Sequence, residues 1–155
     1  MILFRTPRCV IRTFSPKDLD RFMAYRNNLK WMEFQGLKGL TKQEYETILL
    51  HREDWSEGVQ LAVAAAEDDS LIGDLYVRDN QDSMEIGFTI APEYARQGYA
   101  AEAVNGLIDH IRRLTDKPVI AETDPDNVSA IRVLKKLSFE NEGQYEGWLR
   151  FTRRS

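Results

Sequence analysis

The residues with the most chemical promise lie between Met84 and Ala103: a carboxylate, Glu85, on an alternating segment, then a loop holding Gly98, then a helical pattern. Met84, Ile86, Phe88 and Ile90 alternate with Glu85, Gly87 and Thr89, the period of a strand with one face in the core. Pro92 has no N–H to donate to a ladder and should end that strand. From Ala100 the apolar residues fall at Ala100, Ala103, Val104, Leu107, Ile108 and Ile111, spacings that describe one helical stripe. A loop placed there leaves backbone N–H groups unpaired at a helix N-terminus, where the helix dipole adds positive charge. The chemistry on offer is anion binding, most often of phosphate. A turn whose glycine serves chain geometry alone satisfies the same pattern.

A second segment runs from Asp124 to Phe139. Asp126 or Asn127 is a natural N-cap, and Val128, Ile131, Leu134 and Leu137 form the buried stripe of a helix. Ser129 sits in its first turn.

Together the two segments resemble the acyl-CoA-binding signature of the GNAT family of N-acetyltransferases. That family has a loop of the form Arg/Gln-x-x-Gly-x-Gly/Ala and, later, an asparagine-started helix ending in Leu-Gly-Phe. Gly98 and Ala100 match the last two fixed loop positions, and Pro92-Glu93-Tyr94 resembles the lead-in. Ala95 stands where Arg or Gln is usual, and Ser138 where the helix-ending glycine is usual. The resemblance implies acetyl-CoA as cofactor. Ala95, Arg96, Gln97, Gly98, Tyr99, Ala100 and Ala101 would cradle its pyrophosphate, Phe88, Thr89 and Ile90 would flank the thioester, and Asn127 would bind the pantetheine arm. Asn127 also reads as a cap with no ligand role.

Acyl transfer to an amine needs a proton taken from the amine and a thiolate released. Glu85 is the candidate base, since many family members place a glutamate near this point; an ordinary solvent-side strand carboxylate is the alternative. Backbone N–H groups beside Phe88 to Ile90 would polarise the thioester carbonyl. Leu134 occupies the place where many members carry a tyrosine to protonate the sulfur. The ribosomal-protein-alanine branch, which this chain resembles, often has a serine shortly after the asparagine. Ser129 is therefore the candidate acid, one residue earlier than that pattern, with Tyr94 and Tyr145 as more distant ones.

The acceptor is the least legible part. Thr41 to Ile90 carries twelve Asp and Glu against three Lys and Arg, a field that favours a cationic amine or is simply solvated surface charge. Trp31, Met32, Phe34 and Trp55 would line the acceptor cleft beside Glu85, or pack the second helix onto the sheet. Arg150, Arg153 and Arg154 would touch cofactor phosphates or a partner, or simply form an exposed basic end. The reading is an acetyl-CoA-dependent N-acetyltransferase acting on a protein N-terminus or a small-molecule amine by direct attack in a ternary complex. A non-catalytic acyl-CoA sensor and a polyamine- or aminoglycoside-type acetyltransferase are the alternatives.

Composition agrees. The chain has 155 residues, 43% hydrophobic and 30% charged, which suits one globular domain over 1–155. Its net charge of −4 and lack of a basic stripe argue against a nucleic-acid ligand. No apolar run approaches the roughly 20 residues of a membrane helix. One cysteine, Cys9, and two histidines, His51 and His110, offer no zinc spacing, so no metal is expected; Cys9 is expected to pack in a strand. Cytoplasmic location follows as the expectation, and an edge strand would allow a homodimer.

The elements that must position these residues follow in order. Cys9 to Phe14 reads as a strand and Ser15-Pro16 opens a helix to about Asn27. Thr41 with Glu44 forms a capping box for a second helix. Val59 to Ala66 and Leu71 to Val77 pair before the signature strand and helix. Pro118 to Glu122, the Asn127 helix, and a closing hairpin turned near Gly143 complete the chain. The expected fold is α/β (α+β): the GNAT fold, a mixed sheet of about seven strands flanked by about four helices.

Overall fold

The computed structural model describes residues 1–154. Its strands are β1 (Ile2–Arg5), β2 (Cys9–Arg12), β3 (Val59–Ala65), β4 (Leu71–Asp79), β5 (Met84–Ile90), β6 (Val119–Thr123), β7 (Glu140–Tyr145) and β8 (Trp148–Arg153). They form one sheet in the order β1-β2-β3-β4-β5-β6-β8-β7. The helices are α1 (Leu19–Arg26), α2 (Lys42–Leu50), α3 (Tyr99–Leu114) and α4 (Val128–Lys136). The fold is the mixed α/β arrangement expected, with four helices and one strand more than the approximate seven. The addition is β1, which pairs antiparallel with β2; its Ile2 and Arg5 are exposed, so it carries little alternating signal.

Local chemistry sets the boundaries. The Thr41 hydroxyl accepts from the Glu44 N–H at 3.2 Å while the Glu44 carboxylate accepts from the Thr41 N–H at 3.1 Å, the reciprocal box that starts α2. Pro16 opens a short 3-10 turn that runs into α1. At the exit of α4, Ser138 takes the left-handed conformation (φ 68°) that a glycine would adopt freely. The closing hairpin turns at Glu146-Gly147, not at Gly143. Both turn residues have positive φ, 53° and 88°, as a type I′ turn requires, whereas Gly143 lies inside β7 where the register shifts between Asn141 and Gln144.

Two cores cover the two faces. On one, α3 and α4 bury Val104, Leu107, Ile108, Ile111 and Leu134 against Ile11, Leu61, Leu75 and Ile86. On the other, α1 and α2 bury Phe22, Tyr25, Tyr45 and Leu49 against Ala62 and Leu71. Cys9 is fully buried and packs in the first core, as expected of it.

The sheet is antiparallel except between β5 and β6, and that parallel pair is short. β5 stays in register with β4 from Met84 to Ile90 but meets β6 only at Met84–Val119 and Glu85–Ile120. Beyond Glu85 the two strands part and leave an opening in the sheet.

Candidate functional site

The opening is bounded by the glycine loop. Ala91 ends the strand and Pro92–Tyr94 makes a 3-10 turn. Arg96 then takes φ 62° and Gly98 φ 83°, two left-handed residues that fold the chain sharply into α3. No side chain caps the helix at Gly98, so the first N–H groups of α3, from Tyr99 to Ala101, are left to solvent or a ligand. These residues line a cavity of about 690 Å³ that extends between α3 and α4.

The loop is braced from the far end of the chain. The Arg8 guanidinium donates to the Gln97 carbonyl at 3.0 Å and to Glu102 at 2.7 Å, and lies 4.0 Å over the Tyr99 ring. Glu102 also accepts from the Thr6 hydroxyl at 2.6 Å and the Arg8 N–H at 2.8 Å. Burial works to raise the Glu102 pKa, and the bonds from Thr6 and Arg8 outweigh it and hold the carboxyl below its usual range. Arg8 thereby offsets the one negative charge in the first turn of α3, leaving the positive dipole end available to an anion. A Cβ on Gly98 would lie 3.4 Å from the Arg8 guanidinium, so the glycine also keeps this brace in place.

Three cations, Arg96, Arg132 and Lys136, line the same cavity without an ion-pair partner among the described residues. Arg132 and Lys136 are one helical turn apart on α4, facing the loop. Asn127 caps α4, its Oδ1 accepting from the Ala130 N–H at 3.2 Å. It also lines the cavity, as does Ser129. Phe88, Thr89 and Ile90 form the inner wall, with Trp31 and Phe34 across from them. The Trp31 indole N–H donates to the Ile90 carbonyl at 2.9 Å. The Met84 N–H points to Pro118 beside β6 and the Ala91 N–H to Ile72 on β4, so strand alternation turns the Phe88 and Ile90 N–H groups toward the opening.

A second cavity of about 540 Å³ lies on the α1/α2 face and is lined by Glu85, Tyr76, Gln60, Asp74, Arg52 and Glu122, among others. Gln35, Phe88 and Thr89 border both cavities, so the two meet at the C-terminal half of β5. The floor of the second holds a buried network. Arg26 donates to Asp74 at 2.6 Å, to Thr89 Oγ1 at 3.3 Å and to the Leu37 carbonyl at 3.1 Å. Gln60 donates to Asp74 at 2.9 Å, and the Tyr25 hydroxyl donates to it as well. Burial pushes the Tyr25 phenol well up, with Asp74 adding to the effect. Burial works to lower the Arg26 pKa, and Asp74 outweighs it, so the guanidinium stays charged.

Every expected loop residue from Ala95 to Ala101 except Gln97 lines the first cavity; Gln97 presents its carbonyl to Arg8 instead. Glu85 is not in that cavity but in the second, beside the shared wall. Trp55 lines neither: it packs on the α3 face, its ring 6.3 Å from that of His110. Arg150, Arg153 and Arg154 also line neither. Arg150 stacks 4.4 Å over Tyr145, Arg153 donates to the Leu137 carbonyl and Arg154 pairs with Glu142. Tyr145 is thereby placed at the hairpin, away from both cavities, whereas Tyr94 lines the first. Sequence reasoning missed Arg8, Tyr76, Asp74, Arg26, Arg132 and Lys136. Only the last two left a local signal, a basic pair at helical spacing opposite the apolar stripe.

The family described as acetyltransferase (GNAT) domain matches residues 8–140. The uncharacterized N-acetyltransferase YnaD of Bacillus subtilis (strain 168) is 26% identical over 144 residues, 91% of this chain and 84% of that protein. The crystal structure of a GNAT-family acetyltransferase from Bacillus anthracis superposes with a TM-score of 0.84 at 21% identity, covering 98% of this chain and 96% of that one. Spermidine N-acetyltransferase from Vibrio cholerae, solved in complex with CoA and spermine, shares the fold with a TM-score of 0.76 at 19% identity and 94% coverage of each chain.

Proposed function

The chain belongs to the acetyltransferase (GNAT) family, and from that premise we propose that it transfers an acetyl group from acetyl-CoA to a primary amine by direct attack in a ternary complex. The observation that carries this reading is the meeting of two cavities at Phe88 and Thr89, one suited to an anionic cofactor and one holding a carboxylate. The first fits a pyrophosphate: uncapped N–H groups at the head of α3, a left-handed glycine, and Arg96, Arg132 and Lys136 as countercharge. Asn127, whose amide nitrogen has no hydrogen-bond partner among the described residues beyond the cap bond its oxygen makes, would reach the pantetheine arm. Bound acetyl-CoA supplies an acetyl thioester. The Phe88 and Ile90 N–H groups would stabilise negative charge on its carbonyl oxygen.

Glu85 is the proposed base, taking the proton of the incoming ammonium from the second cavity. Ser129 is the one hydroxyl that α4 contributes to the cofactor cavity, and it would return a proton to the sulfur; water can do the same. Trp31 and Phe34 would enclose the reacting end. The acceptor class is a protein N-terminus, as the resemblance to the ribosomal-protein-alanine branch suggests, or a small amine. The solved relative that holds spermine keeps a small polyamine among the candidates. Among the described residues no helix is long and apolar enough to cross a membrane, and no cluster of side chains could hold a metal ion.

A thermal melt with and without acetyl-CoA tests the reading. Ligand at about 100 times its Kd should add roughly 2.7 kcal/mol, a rise of several degrees. Gly98→Val should abolish that rise, because valine resists φ 83° and its branches displace Arg8. No rise in the native chain would overturn the cofactor assignment. A rise without turnover on any amine would favour an acyl-CoA sensor.

A further inference from the structure

Most charged groups around the second cavity are already spoken for. Asp74 is bound by Arg26, Gln60 and Tyr25, and the Glu122 carboxylate lies 3.8 Å from Arg150. Among the described residues four polar side chains of this cavity have no hydrogen bond or ion pair: Gln35, at the border with the first cavity, and Glu85, Tyr76 and Arg52, of which Glu85 and Arg52 are the two charged ones. Their placement is built, not incidental. Tyr76 stands across from Gly87 in the β4–β5 register, which puts it on the same sheet face as Glu85, two residues earlier on β5. At its far end the Tyr76 hydroxyl occupies the space where a Cβ on Gly58 would be, and Gly58 has φ 87°. Burial raises the Tyr76 pKa first and Glu85 second, while Arg78 and Arg52 pull it down, so carboxylate and guanidinium act on one neutral phenol.

We infer that this cavity takes a small zwitterionic acceptor, an amine that also carries a carboxylate, with Glu85 receiving the ammonium end and Arg52 the carboxylate. Tyr76, a donor and acceptor between the two, would hydrogen-bond the acceptor and fix its tilt toward Phe88 and Thr89. A polycation would leave Arg52 facing like charge, whereas an amino carboxylate satisfies both free charges. The guanidinium presents a planar fork that matches a carboxylate in two bonds. The assignment rests on the acetyl-transfer reading, in which the amine enters from this side.

The test measures binding, so it does not depend on turnover. Standard α-amino acids and their carboxamides are titrated into the chain saturated with CoA, for the native protein and for Arg52→Gln, Arg52→Lys and Tyr76→Phe. The native protein should bind at least one amino acid about tenfold more tightly than its carboxamide. Arg52→Gln should erase that preference without weakening the carboxamide, and Arg52→Lys should restore part of it. Tyr76→Phe should weaken amino acid and carboxamide alike. A protein that binds CoA yet prefers no amino acid over its carboxamide overturns the assignment, as does a preference that survives Arg52→Gln. Failure to bind CoA overturns the transfer reading itself, and this assignment with it.

Discussion

Arg8 and Glu102, 94 positions apart in the chain, meet at 2.7 Å beside the loop that leads into α3. The pair ties the turn between β1 and β2 to the head of the helix, and Arg8 extends it to the Gln97 carbonyl and the Tyr99 ring. Arg8→Ala should therefore loosen the cradle more than the fold. The expected outcome is a several-fold rise in the Kd for acetyl-CoA by titration calorimetry, with the melting temperature of the free protein little changed. Equal affinities would show that the loop holds its shape without the brace.

Glu85→Gln separates base from binder. Removing a general base should lower kcat by about a hundredfold or more while the acetyl-CoA affinity stays intact, because Glu85 lies in the second cavity and not in the first. Unchanged kcat would shift the proton transfer to a water chain or to another group.

The Arg26–Asp74 pair is nearly removed from water on both sides. Asp74→Ala would leave the guanidinium buried without its counter-ion, and should cost about 3–5 kcal/mol in urea unfolding. Tyr25 and Gln60 would lose their acceptor in the same step. A loss below about 1 kcal/mol would mean that water reaches Arg26 readily.

His110 gives a stability term with a definite sign. It stacks on Phe4 with ring centroids 5.2 Å apart, and burial, then the Arg113 charge, lowers its pKa below the ordinary 6.5. The unfolded chain therefore binds more protons as pH falls below that value, so stability is full above about pH 6.5 and declines on acidification through the lowered pKa. Unfolding midpoints measured between about pH 7.5 and about pH 5 should fall in the native chain and fall less in His110→Phe. Equal slopes would place the acid sensitivity elsewhere.

What the sequence disclosed was what neighbours in the chain decide. The α3 stripe, the Thr41–Glu44 box and the Gly98 loop are all short-range patterns, and each stands where its spacing put it. The closing hairpin was misplaced by three to four residues, from Gly143 to Glu146-Gly147, because two glycines compete there, and only the turn geometry separates Gly147 from the bulged Gly143. Trp55 was read toward the acceptor cleft, whereas the sheet puts it on the opposite face. The second cavity was opaque for a related reason: Arg26, Asp74 and Thr89 come from three elements, and no local pattern announces that a charge on α1 will meet one on β4. Tyr76 shows the same limit, since its place beside Glu85 depends on strand register and on the space left at Gly58.

The two-residue junction of β5 with β6 divides the sheet into two plates, β1 to β5 and β6 with β8 and β7. Under tension applied across that junction, two residue pairs resist where the ladder between β4 and β5 has seven. A molecule lodged in the gap touches Ile90 on one plate and Asn127, on the connection that follows β6, and so acts as a clasp. Its grip would register as mechanical strength at that seam.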